Sequence, residues 1–288
     1  MNGTIRWLIR DIFLRARASG FSALLIGVTA ITGLACLTIR TNLDTGHLGF
    51  WFGRIPAGND PHQLLFWLAC GVADVAGVLV ALLAMAGFVP SFLESSLAKV
   101  PLAKPPHRSM LLFGRCLGVV LFLAFHAGLF LAVTGVALGI STGQWVAGYW
   151  LAWPLLIVQF LPFFAFSVLI AVNTRSTAAA MLGSVFFWAV SWGMNFGRHF
   201  LAGITIDGPT QQFSRGVECC YQILPKPADL SLILYRALDA QPDGLPGAGL
   251  RSVQQLGLYS PTGAVISSVV IAVVLFGLSV FELNQQDY

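Results

Sequence analysis

Residues 111–140 read LLFGRCLGVVLFLAFHAGLFLAVTGVALGI, a stretch in which Arg115 and His126 are the only basic side chains and none is acidic. A helix of about 20 mostly apolar residues crosses the hydrocarbon core of a bilayer, so this run is more than long enough and implies tilt or an overhang on the inner side. Lipid offers the backbone no hydrogen-bond partner, which makes such a run a helix and not a loop. Five similar runs are present, at Phe21–Ile39, Leu64–Val89, Trp145–Val172, Thr177–Phe196 and Thr262–Phe281. The roughly ten-residue alternation of a barrel strand is absent.

The bulk numbers agree. The 288 residues are 57% hydrophobic and 10% charged, with a mean hydropathy of +0.79. Soluble domains carry about a quarter charged residues, so the chain lacks the polar surface a soluble body requires. The expected class is an all-α integral membrane protein of six spans. A net charge of +4 does not indicate nucleic acid, because the basic residues sit between apolar runs and form no continuous face. Cys36, Cys70, Cys116, Cys219 and Cys220 show no C-x-x-C spacing, which gives no support to zinc or thioredoxin-like chemistry. A cleaved leader fits poorly, since the first apolar run begins some twenty residues in and no clean small-x-small site follows TGLACLTIR. No internal repeat of the secondary-transporter kind is evident.

Ahead of the first run lies GTIRWLIRDIFLRARASG, residues 3–20. Ile5, Leu8, Ile9, Ile12 and Phe13 fall on one helical face, and Arg6, Arg10 and Arg17 largely on the other. The expectation is an amphipathic helix over residues 1–18, lying along the membrane surface with its cationic side toward lipid phosphates. Lys and Arg in the short connections set orientation. With the N-terminus inside, Arg6, Arg10, Arg15, Arg17, Lys99, Lys104, Arg108 and Arg175 are inside, and only Arg40 and Arg54 occupy the short outer loops. Both termini are then cytoplasmic. The connection at 197–261 is a long outer loop. Within it PADLSLILYRALDA (residues 227–240) predicts a short helix with Asp229 as N-cap and an apolar face of Leu230, Ile233, Leu234, Ala237 and Leu238, resting on or dipping into the outer surface.

The inner connection SFLESSLAKVPLAKPPHRSMLLFGRCLG, residues 91–118, is both charged and stiff. Pro101, Pro105 and Pro106 restrict its backbone. Glu94 stands at the inner end of the second span, where it needs a partner: Lys99, Arg115, or a basic residue of another chain. An ordinary topology-fixing connector accounts for the charge alone; a docking elbow accounts for charge and stiffness together.

The order of these residues resembles the ABC-2 type permeases, the membrane subunits of ABC transporters. The family segment runs as an acidic residue, a small pair, Lys-Pro, a basic residue, leucines and a Gly-basic-x-Leu-Gly step. Here Glu94, Lys104-Pro105, Arg108, Leu111-Leu112, Gly114-Arg115 and Leu117-Gly118 follow that order. Ser95-Ser96 and Pro106-His107 depart from it. NTRSTAAAMLGSVFF (residues 173–187) is similar to the family's turn between spans four and five. ELNQQDY at the end lacks the family's arginines.

The resemblance implies one ABC-2-like transmembrane domain over residues 1–288. It implies an exporter of the plasma membrane, with the elbow helix (Arg6, Arg10, Arg17) and the inner loop (Glu94, Lys99, Lys104, Pro105, His107, Arg108, Arg115) facing a separate ATP-binding cassette subunit. It also implies a second permease copy or homologue. ATP and magnesium then belong to the partner and no cofactor to this chain, in which no G-x-x-x-x-G-K-[ST] occurs. The chain itself is not read as an enzyme: the motifs of intramembrane serine and metalloproteases are absent, as are paired aspartates. Membrane lipid is an expected partner and nucleic acid is not.

Three polar residues inside spans stand out as candidate sites. Asp74 and His126 are ionisable groups at membrane depth, where such groups are expensive and often functional. Each is either a relay or path residue, or a satisfied packing residue. Gln159 lies between Pro154 and Pro162, two expected kinks of span four. The alternatives to the permease are a proton-coupled carrier using Asp74 and His126, or a membrane anchor subunit of a larger complex. Gly71, Gly77, Gly114 and Gly118 are expected to permit close helix packing.

Overall fold

The computed structural model describes residues 2–38, 40–42, 47–50, 53–56, 69–94, 108–202, 210–238 and 260–285. Helix α1 (Asn2–Ala18) is followed by α2 (Phe21–Thr38), and the break between them is Ser19-Gly20. Gly20 is in the left-handed region at φ 74°, a helix-ending conformation that glycine adopts without the Cβ penalty. The second span covers Ala69–Ser91. It contains a π-helical stretch (Val72–Gly77), then α3 (Val78–Met85) and the start of α4 (Phe88–Glu94). Span three is α5 (Arg108–Thr142). Span four opens with a 3-10 turn (Ala147–Leu151) and continues as α6 (Ala152–Thr174). Span five is α7 (Thr177–Ala202) and span six is α10 (Pro261–Gln285); between them come α8 (Thr210–Ile223) and α9 (Pro227–Ala237).

Six of these helical stretches are long and apolar enough to cross a membrane. They coincide with the six expected runs. One element was not expected: Arg40–Asn42, His47–Phe50 and Gly53–Pro56 form β1, β2 and β3, a short antiparallel meander between spans one and two.

Span four is the most buried of the six, and α6 makes its most extensive interface with α10. Large apolar side chains such as Ile31, Leu182, Phe186 and Val273 point outward and are well exposed, as lipid-facing positions must be. Hydroxyls inside the spans bond back to carbonyls of the preceding turn. Thr29 donates to Leu25 O at 2.8 Å, Ser191 to Phe187 O at 2.8 Å and Ser279 to Leu275 O at 2.8 Å. Such bonds satisfy polar groups where no water is at hand. Pro154 lies in the first turn of α6, where its missing N–H breaks no helical bond; Pro162 sits inside a helix that continues through it.

The position of α1 departs from expectation. Its apolar stripe, Leu8, Ile12 and Ala16, is fully buried against α5, so the pattern read as a lipid-facing stripe encodes a protein contact. Contacts advance in step along both chains. Leu8 lies on Gly114, Asp11 on Arg115, Ile12 on Gly118 and Phe13 on Phe122, followed by Ser22 on His126 and Gly33 on Val133. Thus α1 and α2 together run alongside α5 in the same direction.

Glycine makes this approach possible. A Cβ on Gly114 would lie 2.7 Å from Leu8 Cδ1, and one on Gly118 would lie 3.3 Å from the backbone of Ile9. Leu8 can shift, but a backbone cannot. We expect Gly118→Val to destabilise the α1–α5 pair by about 1–3 kcal/mol through overpacking. Trypsin cleavage at the exposed Arg10 and Arg17 would then accelerate in detergent; an unchanged digestion rate would refute it. Gly71 and Gly77, by contrast, meet no neighbouring helix within 4 Å.

Candidate functional site

Three polar assemblies and one cavity stand out in this apolar body. The first is at the α1 end of the bundle. Arg115 is completely buried and donates from Nη1 to Asp11 Oδ2, and Arg15 Nε reaches the same oxygen at 3.0 Å. Phe13 packs edge-on to Phe122 at 5.2 Å. The Phe122 ring in turn lies 4.2 Å from that of His126. His126 Nδ1 is 3.0 Å from Phe122 O, and Nε2 is 3.2 Å from Ser22 Oγ. A carbonyl can only accept, so Nδ1 carries a proton toward Phe122 O, and Nε2 shares a hydrogen bond with the Ser22 hydroxyl.

The expected inner-loop residues divide here. Arg115 is fully buried and held by Asp11 of α1, so it is not on the surface that a partner subunit would meet. Glu94 ends α4 and Arg108 begins α5, but their side chains lie outside the described set, and Lys99, Lys104, Pro105 and His107 lie outside the described residues. Arg6, Arg10 and Arg17 are exposed on the side of α1 away from α5. Asp11, the residue that holds Arg115, was not singled out in the sequence. Its only signal was an acidic residue in a helix otherwise rich in arginine.

The second assembly joins span two to α9. Asp74, on the π-helical stretch, is buried and its Oδ2 is bound by the Ser231 hydroxyl. Gln159 Nε2 donates to the backbone oxygen of Asp74 at 3.3 Å. Ser231 Oγ also lies 3.0 Å from Pro227 O. Asp74 and Gln159, both expected in the spans, are therefore brought together, whereas His126 stands apart with Ser22. Among the described residues no hydrogen bond links Asp74 to His126.

The third assembly lies between the end of α7 and helices α8 and α9. Arg198 Nε donates to Glu218 Oε2 at 2.7 Å, and its guanidinium sits 3.9 Å over the Tyr221 ring, with Lys226 Nζ at 4.7 Å. Tyr221 donates its phenolic hydrogen to Asp229. Burial first, then the neighbouring Asp229 charge, pushes the Tyr221 phenol well above its ordinary value. Burial holds the Lys226 amine below its own, with Asp229 opposing. Asp229 is thus not the N-cap of α9. Lys226 occupies that position, Pro227 opens the helix, and Asp229 sits buried in the first turn.

Nor does α9 leave an apolar face open. Leu230, Leu232, Leu234 and Leu238 are buried among α6, α7, α10 and the 3-10 turn. Gly148 of that turn is pressed against Ala237 O, with no room for a Cβ. Cys219 and Cys220 are both free and exposed.

On α7, Ser184, Trp188, Ser191, Trp192 and Asn195 recur at helical spacing. Trp188 Nε1, Trp192 Nε1 and Asn195 Oδ1 are buried with no hydrogen-bond partner among the described residues. Buried donors without acceptors are expensive and call for a polar ligand or water. Finally, α2, the π-helical stretch, α5 and α6 enclose an apolar cavity of about 160 Å³, with His126 on its wall.

No protein-family model, curated protein or solved structure matches the chain.

Proposed function

We propose that this chain is the permease subunit of an ABC-2-type exporter, driven by a separate ATP-binding subunit that docks on the inner loop 91–118 and on the arginine face of α1. The observation that carries the reading is the clasp between α1 and the start of α5. The Asp11–Arg115 pair and the glycine seats at Gly114 and Gly118 join α1 to span three as one body. A push delivered to the loop or to α1 therefore reaches a span directly, without being absorbed at the joint. Lys104, Arg108, Arg6, Arg10 and Arg17 supply the charge that orients a partner carrying acidic patches. Cargo passes along the α7 face, where buried indole N–H groups have no acceptor among the described residues.

Reversing the charges at Lys104 and Arg108 together should weaken association with the ATPase on the order of tenfold, about 1.4 kcal/mol, and leave membrane insertion intact. Affinity purification in mild detergent, followed by assay of nucleotide hydrolysis, measures it. Unchanged association and turnover would remove the loop's role. The proton-coupled alternative draws less support from the geometry, because Asp74 and His126 take separate partners. Transport by the purified chain alone, on a proton gradient and without an ATPase, would replace the permease reading with it.

A further inference from the structure

The cavity between spans one to four has an unusual wall. Val72, Ala73, Ala76 and Gly77 all lie on the π-helical stretch of span two. A π-helix is rare, widens the backbone locally and occurs often at functional positions. The hollow opposite α2 is made by small side chains, chiefly Ala73, Ala76, Gly77, Ala81 and Ala127, backed by Phe130 and Phe160. Gly77 has open space beside it: an added Cβ would meet nothing closer than Val72 O at 3.8 Å.

The hollow is a cleft and not a sealed void. Val28 on α2 and Val72 on span two both line it and are both exposed, at 44% and 46%. Meanwhile α2 packs chiefly on α5, not on span two, so the mouth opens between spans one and two. All the lining residues belong to membrane-spanning segments. The mouth therefore faces hydrocarbon, not water.

An apolar cavity of about 150 Å³ stays dry and takes a benzene-sized guest. At about 160 Å³ this cleft suits roughly six carbons by the same comparison. Among the described lining residues His126 is the one titratable side chain, and its ring is already tied to Ser22 and Phe122. Among the described lining residues no carboxylate, lysine or arginine stands to select a headgroup.

We infer that the cleft between spans one and two is a lateral binding site for a single acyl chain of a membrane phospholipid, which enters sideways from the bilayer and rests against the π-helical stretch. The inference goes beyond the permease reading and does not depend on it; it needs only the six spans.

The test is photolabelling of the purified full-length chain in vesicles of phosphatidylcholine that carry a diazirine in one acyl tail, with adducts mapped by mass spectrometry. Adducts should concentrate on residues 72–81 and 120–130. They should exceed those at equally exposed lipid-facing positions such as Ile31, Leu182 and Val273 by roughly fivefold, the ratio that about 1 kcal/mol of preference produces. Gly77→Leu, and separately Ala76→Phe, should remove that excess while labelling at Ile31 and Val273 stays unchanged. Two variants guard against one that fails to fold. Adducts that merely follow exposure, or that survive both filled variants, would overturn the site. So would rapid reaction of a membrane-impermeant thiol reagent mapped to position 76 in Ala76→Cys, beyond the labelling of the exposed Cys219 and Cys220, which would mean a wet cleft. Labelling needs no ATPase, so its success alongside failed co-purification would leave the acyl site standing and remove the permease, and the reverse outcome would do the opposite.

Discussion

Replacing Asp11 with alanine is expected to destabilise the chain by about 3 kcal/mol. Arg115 is wholly buried, and its guanidinium is held by a carboxylate from a helix more than a hundred positions earlier in the chain. Removing one member of a buried ion pair takes away the charge that offsets the other, which costs about 3–5 kcal/mol. The lower end applies because the Asp11 side chain is 20% exposed, so water can reach the vacated position. Replacing both members with apolar residues of similar volume, Asp11→Leu with Arg115→Met, should recover most of the loss, since buried pairs contribute little against a well-packed apolar substitute.

Thermal melts followed by size-exclusion chromatography in detergent distinguish these outcomes. The single variant should lose folded monomer at a clearly lower temperature and the double variant should approach the parent. An Asp11→Ala melt indistinguishable from the parent would mean that Arg115 is solvated and that the clasp is not a structural joint. The Asp11–Arg15 contact, one turn apart and with Arg15 partly exposed, is lost in the same variant but adds little to the cost, because exposed helical pairs contribute only about 0.3–0.5 kcal/mol.

The same pair marks where sequence reading succeeds and where it stops. The spans were legible because burial in hydrocarbon demands long apolar runs whatever the neighbours are, and all six runs reappear as helices. Asp74, His126 and Gln159 were legible as exceptions inside those runs, since a polar group at that depth must be satisfied by something. What satisfies them was not legible. Asp11 and Arg115, and Asp74 and Ser231, are joined by helix packing across large sequence separations, and amphipathic periodicity says which face is apolar but not what covers it. That is why α1 was assigned to the lipid surface when its stripe is fitted to α5. Asp229 failed for a related reason. Its place before an apolar run has the form of an N-cap, but a proline at 227 starts the helix earlier, and the carboxyl is drawn to Tyr221 instead.

The bond between Asp74 and Ser231 leads to the second large effect, and there the position of a proton decides the sign. Ser231 has one hydroxyl hydrogen and two neighbours able to receive it, Asp74 Oδ2 and Pro227 O. If Asp74 is a carboxylate, the hydrogen goes to it and Pro227 O is left aside. If Asp74 is protonated, it donates to Ser231 Oγ, which donates onward to Pro227 O, and every partner is satisfied in one chain. Asparagine reproduces the second arrangement, because its amide nitrogen donates where the protonated acid would. We expect Asp74→Asn to keep stability within about 0.5 kcal/mol of the parent.

Ser231→Ala removes the hydroxyl from both neighbours and takes from the buried acid its hydroxyl partner, a loss of about 1–3 kcal/mol. That loss should appear locally, as faster amide exchange in α9 and in residues 72–77, since these are the two segments the bond ties together. If Asp74→Asn instead destabilises as much as Ser231→Ala, the group is a carboxylate held by a charge-assisted bond, and the proton chain through Ser231 to the backbone does not exist. If neither variant changes exchange in α9, the helix is held by its leucines alone, and movement of the π-helical stretch cannot be passed to the far end of the bundle through this contact.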